Sequence, residues 1–260
     1  MKKIISLILC AVMLLSVTAC SGRTVSSKDE LANLDIGIIL GSGISPELEY
    51  YYEEKNCEVF GYYTLADIQT AFKNGTIDCA VLDNNVANSF VETYSGYTAS
   101  TEAVGEGKIE FVLSESKKAY QLMLDKAIDA LTADGTIDGI VNGYFKDKNY
   151  KYTPKNLDNS NGEFKIALDT PITPYCENDG LNVTGGPALA ILDAVCEYLG
   201  CSYKFVPTKT SDFASKLKNG TVDFALGDLH DEVLKDENAK QTILKTKPVI
   251  EFDYVIVSKK

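Results

Sequence analysis

The 260-residue sequence carries one histidine, His230, one arginine, Arg23, and no Cys-x-x-Cys pair. A lone histidine removes most Ser-His and Cys-His nucleophile schemes, unless His230 itself serves. Without paired cysteines it also leaves zinc no ligand set, so no metal site is expected. No Walker or dinucleotide glycine pattern occurs. The stretch "GSGIS" at 41–45 follows a strand-like run but lacks a third glycine and an acidic partner after the next strand. It is therefore not read as a phosphate cradle, and no cofactor is expected. Basic side chains are few beside acidic ones, 25 against 37, for a formal charge of −12. That balance disfavours nucleic acid as a partner and mildly favours neutral or cationic ligands over anionic ones.

The first residues, "MKK", the apolar run Ile4 to Leu15 and then "SVTAC", form a basic head, a hydrophobic segment and a small-residue cleavage site. The run is short for a transmembrane helix, and Val17-Thr18-Ala19-Cys20 resembles the lipobox of bacterial lipoproteins. That resemblance implies a signal peptide at 1–19, lipidation of Cys20, a tether over 20–30, and work outside the cytoplasm at the cell membrane. Cys57, Cys79, Cys176, Cys196 and Cys201 then remain. An odd number cannot all pair, and most are expected to be small buried hydrophobes, with Cys196 and Cys201 the one pair to check.

One phrase occurs twice. "DIQTAFKNGTIDCAVLD" (67–83) and "DFASKLKNGTVDFALGD" (212–228) match at eight of seventeen positions. In each, apolar residues at helical spacing precede Lys-Asn-Gly, so Gly75 and Gly220 are expected to end helices in the left-handed conformation. Thr64 and Asp67 form a capping box before the first copy. The apolar runs after the glycines read as buried parallel strands. Extending outward, strands at 35–40 and 57–63 with a helix at 46–55 give β-α-β-α-β. Strands at 164–169 and 202–208 with a helix at 187–199 repeat that order. Each half is thus expected to be a mostly parallel α/β sheet flanked by helices. Between them come a strand at 108–114, helices at 117–133 and 136–145, and the polar linker "DKNYKYTPKNLDNSNGE" (147–163). The segment "ADGTIDGIV" (133–141) imitates the repeat but has no strand after it, and reads as a helix–turn–helix.

Residues 164–228, from "FKIALDTPITPYCENDGLNVTGG" through "LAILDAVCEYLG" to "LKNGTVDFALGD", resemble the opening of family 3 extracellular solute-binding proteins. These are the amino-acid receptors of ABC importers. The Pro174-Tyr175 loop, Gly185 before a helix, Leu199-Gly200 at its end and the later Gly-x-x-Asp carry the likeness. Residues 27–98 resemble that family's second lobe, which ordinarily follows the first. Residues 108–147 resemble its C-terminal segment, with Tyr144-Phe145 where a Trp-Phe pair is common. The resemblance therefore implies a two-lobed, periplasmic-binding-protein-like (type II) α/β fold in circularly permuted order. Its parts are a lobe at 31–98, a hinge at 99–107 and a lobe at 108–260 that includes the linker. A single connection near 98–108 is expected to join the lobes.

Ligands of parallel α/β lobes sit at the carboxyl ends of strands. That rule selects 41–45 and Asp83-Asn84-Asn85 in one half, and 169–176 and 227–231 in the other. By resemblance, Ser42 would bind a ligand carboxylate at a helix start, Asp83 would take an ammonium group, and Tyr175 would stack on the ligand. The family's carboxylate-gripping arginine is missing. Its place is "LHDEVLKDENAK" (229–240), where Lys235 offers only a point charge and Asp228 and His230 stand on the expected cleft rim. The implied function is a non-enzymatic, monomeric, lipid-anchored receptor. It would close over a small polar, amino-acid-like ligand and pass it to an ABC transporter permease. A sensory or partner-binding module on the same scaffold, or an exported dehydratase, are the alternatives.

Overall fold

The computed structural model describes residues 24–40, 46–147, 150–155, 157–168, 174–178, 183–209, 212–227 and 243–260. A 3-10 turn at Lys28–Leu31 leads into β1 (Asp35–Ile39), α1 (Pro46–Glu54), β2 (Glu58–Tyr62), α2 (Leu65–Asn74), β3 (Cys79–Asp83) and α3 (Asn84–Thr93). Then come the 18-residue β4 (Tyr97–Ser114), α4 (Lys118–Ala133) and α5 (Thr136–Lys146). Beyond the linker lie β5 (Glu163–Leu168), the small pair β6 (Glu177–Asn178) and β7 (Val183–Gly185), α6 (Pro187–Leu199) and β8 (Ser202–Pro207). The described chain ends with α7 (Phe213–Lys218), β9 (Phe224–Gly227), β10 (Ile243–Lys245) and β11 (Ile250–Lys259).

The repeated phrase does what its residues require. Thr64 and Asp67 close the α2 capping box, with Asp67 N–H donating to Thr64 Oγ1 at 3.1 Å and Thr64 N–H to Asp67 Oδ2 at 3.2 Å. Gly75 and Gly220 take φ values of 70° and 75°, ending α2 and α7. β3 is buried at every position, as a central strand covered on both faces must be. The "ADGTIDGIV" segment carries the end of α4 and the start of α5, with no strand.

Two sheets of the same order share one ribbon. In the first, β2, β1 and β3 lie parallel, followed by β11 antiparallel and then the N-terminal part of β4. In the second, β8, β5 and β9 lie parallel, followed by the C-terminal part of β4 and then β10. The expectation of one connection between lobes is corrected here: β4 and β11 both cross. The reason lies in β11's sequence. Its first residues alternate between buried and exposed, but from Tyr254 to Ser258 every residue is buried. The run "YVIV" needs cover on both faces and finds it between β3 and β4, with Val255 opposite Leu82 and Val257 opposite Ala80.

Helix α6, "PALAILDAVCEYL", is apolar over most of its circumference and is packed against α4 and α5. Helix α5 also touches α3 of the first lobe. A second core, centred on Phe72, Phe90 and Tyr97, fills the outer face of the first sheet. The two ends of the described chain meet: Val25 N–H donates to Ser258 Oγ at 3.1 Å and Thr24 Oγ1 to the Lys259 carbonyl at 3.2 Å. Cys57, Cys79, Cys176, Cys196 and Cys201 are free thiols, so Cys196 and Cys201 are not bridged. Among the described residues no helix is long and apolar enough to cross a membrane.

Gly186 fixes the loop that carries Tyr175. It sits at φ 97°, and a Cβ there would meet the Tyr175 carbonyl oxygen, which already accepts the Ala188 N–H at 2.9 Å. Gly186→Ala is therefore expected to cost about 2–4 kcal/mol, combining left-handed strain with a backbone clash. A urea titration should show the midpoint falling with the slope unchanged; an unmoved midpoint would contradict this account.

Candidate functional site

Asp83 is the last residue of β3 and the N-cap of α3. Its Oδ1 accepts the Val86 N–H at 2.9 Å, so the same carboxylate that ends the strand starts the helix. That oxygen also accepts the Tyr175 hydroxyl at 2.9 Å, from a loop of the other lobe. Asn85 Nδ2 donates to the Tyr175 Oη at 3.3 Å. The Tyr175 ring stacks on Phe252 with centroids 5.0 Å apart and planes at 15°, and meets the edge of Phe145 at 5.4 Å.

This lobe boundary is buried but not fully paired. Asp83 is 2% exposed and Tyr175 1%. Burial raises the Asp83 carboxyl to about 6, against the pull of the Val86 and Tyr175 hydrogen bonds. Burial also pushes the Tyr175 hydroxyl up, and the Asp83 charge beside it adds to that. Two polar atoms nearby lack a hydrogen-bond partner: Asn84 Oδ1, next along the chain, and Tyr254 Oη, whose residue lies opposite Asp83 in the β3–β11 register. Buried polar atoms in that state mark a place where water or a ligand group is at home.

Next to this boundary lies a cavity of about 710 Å³. The first lobe contributes Ile39, Thr64, Val86 and Ser89 to its wall, and the second contributes Gly186, Pro187 and Asp193. Four tyrosines also face it: Tyr63, Tyr144, Tyr150 and Tyr152. Its size is in the range of small-molecule sites. Burial raises the Asp193 carboxyl, while the Tyr203 hydroxyl donates to it at 2.6 Å and works the other way.

Of the residues expected from sequence, the structure brings Asp83, Asn84 and Tyr175 together. Ser42, Asp228 and His230 lie outside the described residues, as does Cys20. The tyrosines around the cavity were not singled out by the strand-end rule, because Tyr144, Tyr150 and Tyr152 come from a helix end and the linker. The available signal was the spacing of tyrosines in the polar stretch "DKNYKYTP" (147–154). Among the described residues no group of His, Cys, Asp and Glu could hold a metal ion.

No family model and no curated protein matches the chain. Solved structures do. A phosphate-binding protein of a phosphate ABC transporter from Streptococcus pneumoniae is 9% identical with a TM-score of 0.49, over 87% of this chain and 88% of that one. An ABC transporter periplasmic binding protein from Brucella ovis, with glutathione bound, is 9% identical with a TM-score of 0.43, over 91% and 66%. The BvgS periplasmic domain of B. pertussis is 12% identical with a TM-score of 0.43, over 87% of this chain and only 36% of that one. The chain thus spans little more than a third of the BvgS chain. The chain's own topology is α/β, two sheets of the same strand order joined through β4 and β11.

Asp83 makes stability depend on pH. Its carboxyl stands near 3.8 when unfolded and about 6 when folded, so between those values the folded chain holds a proton that the unfolded chain has released. This contribution is complete below about pH 4 and is lost as the pH rises through 6, a difference of about 3 kcal/mol. Asp83→Asn should abolish that part of the slope. Urea titrations at pH 4 and pH 7 on both proteins check it, and equal pH differences in the two would refute the assignment.

Proposed function

We propose that the chain is an extracytoplasmic solute-binding protein, held to the cell membrane by lipid on Cys20. It closes two α/β lobes over a small polar, amino-acid-like ligand for delivery to an ABC transporter permease. The observation that carries this reading is a buried carboxylate at a strand end of one lobe, hydrogen-bonded across the boundary to Tyr175 of the other. Asp83 sits where an ammonium group of a ligand could replace the Tyr175 hydroxyl as its partner. The exchange would substitute a charge-assisted bond for a neutral donor, and the β4–β11 ribbon gives the lobes a path along which to hinge.

The permuted order belongs to the same reading. Helices α4 and α5 pack on α6 of the later-numbered lobe, and Val25 lies against Ser258, so 24–30 continues where β11 ends. In that order, 147–163 joins what would be the ordinary termini. Ser42, Asp228 and His230 are proposed to complete the ligand shell with Asn84, and no arginine takes part. One observation favours the second reading, a sensory or partner-binding module. Asp83 already has a protein hydroxyl as its partner, so a ligand must displace Tyr175 to reach it.

A thermal-shift screen of the full chain in detergent against amino acids, polyamines, short peptides and organic acids separates the two. A true ligand at a hundred times its dissociation constant should add roughly 2.7 kcal/mol of stability. Asp83→Ala should then weaken that ligand at least tenfold. A hit indifferent to Asp83→Ala would remove the proposed role of Asp83, and silence across the panel would favour the module.

A further inference from the structure

The cavity beside Asp83 has a chemistry of its own. Tyr63, Tyr144, Tyr150 and Tyr152 face it, and aromatic rings present negative faces to a cation. Asp147 and Asp193 also line it, against one ammonium among the described residues, that of Lys151. Two of the helix starts that reach the cavity already have donors engaged within the protein. At α2 the Asp67 N–H is taken by Thr64 Oγ1 in the capping box. At α6, Pro187 has no N–H, and Ala188 gives its own to the Tyr175 carbonyl.

Asp193, which lines the cavity, and Glu197, one turn on along α6, form an acidic pair. Asp193 is met by the Tyr203 hydroxyl at 2.6 Å, and Glu197 by the Tyr152 hydroxyl at 3.1 Å and the Lys155 N–H at 3.1 Å. Among the described residues neither has a cationic side chain within ion-pair distance. The wall they support is held in place from both sides. The Tyr150 ring packs over Gly143, where any side chain would collide with it, and stands edge-on to Tyr144 at 5.2 Å.

We infer that this cavity binds the cationic group of an organic amine or quaternary ammonium compound, and that the linker, through Tyr150 and Tyr152, supplies the aromatic wall. The inference rests on the receptor reading above and names the ligand class for it. The cation would lie against tyrosine faces and balance the acidic pair, in a space that Asp83 adjoins but does not line.

Calorimetric titration of the full chain tests it, with choline and benzyltrimethylammonium as probes and their neutral analogues 3,3-dimethylbutan-1-ol and benzyl alcohol as controls. At least one cation should bind tenfold or more tighter than its neutral analogue. Tyr150→Phe should keep that binding, whereas Tyr150→Leu should weaken it about tenfold. Lys151→Gln, on an exposed side chain that no fold contact requires, should tighten it about threefold. Absence of binding by both cations overturns the inference, as does equal binding of the neutral analogues or indifference to Tyr150→Leu. A neutral or zwitterionic ligand found by the thermal-shift screen, with both cations silent here, would leave the receptor reading standing and remove this one. Cation binding that survives Asp83→Ala but not Tyr150→Leu would uphold it apart from the role of Asp83.

Discussion

Strands β4 and β11 run antiparallel from Tyr97–Lys259 at one end to Ile109–Ile250 at the other, and neither sheet is complete without them. β11 fills the gap between β3 and β4 in one lobe, while β4 continues into the other to pair with β9 and β10. A two-stranded ribbon is a poor structure alone, but here each end is buried in a packed sheet. In the proposed closure the ribbon would serve as the hinge. It would fix how the lobes face each other and leave a narrow place for them to bend. The register shifts between Tyr254 and Val257 fall where β11 passes from alternating to full burial, and a shift of this kind bends and twists a strand.

That bend sits opposite Asp83, since Tyr254 is the register partner of Asp83. Hinge and candidate site are thus built from the same residues. The carboxylate caps α3, receives Tyr175 from the other lobe, and lies beside two buried oxygen atoms without partners. A desolvated carboxylate whose donors are all neutral is held at a cost, which is why its proton affinity rises. The closed arrangement is not the best one this site can offer its own charge. An ammonium group would serve Asp83 better than the Tyr175 hydroxyl does, so the boundary favours exchange of partner over permanent closure.

Much of this was legible in the sequence because the deciding signals are local. Thr64 with Asp67 states a capping box within four residues, and Gly75 and Gly220 each end a helix whatever packs on it. The paired phrases then fix two equivalent βα units, and Asp83 follows from the rule that strand ends hold ligands. What was missed depends on contacts distant in the chain. The C-terminal stretch is plainly strand-forming, yet nothing in "EFDYVIVSK" names β3, more than 160 positions earlier, as the neighbour of its second half. Helix α3 was hidden because "NNVANSF" has weak helix formers at its start, and the Asp83 cap supplies what they lack. The cavity tyrosines were hidden for a further reason. A polar linker carries no periodicity, so its aromatic residues declare a face only once α5 and α6 stand next to it.

The linker at 147–163 does more than connect its two neighbours. A segment that merely spans two ends would be free to vary in polar residues, but Tyr150 is seated over Gly143 and Tyr152 is tied to Glu197. Both anchors belong to the later-numbered lobe, so the linker would move with that lobe in the proposed closure. Across the cavity, Tyr63 and Thr64 belong to the other lobe and move with it. Bending that separates Asp83 from Tyr175 must therefore also part the tyrosine walls, because each contact has one member on each side of the ribbon. A ligand that fills the cavity alone strengthens closure without disturbing the Asp83 bond. A ligand long enough to reach both places must first break it, and its ammonium group then repays the loss at the carboxylate.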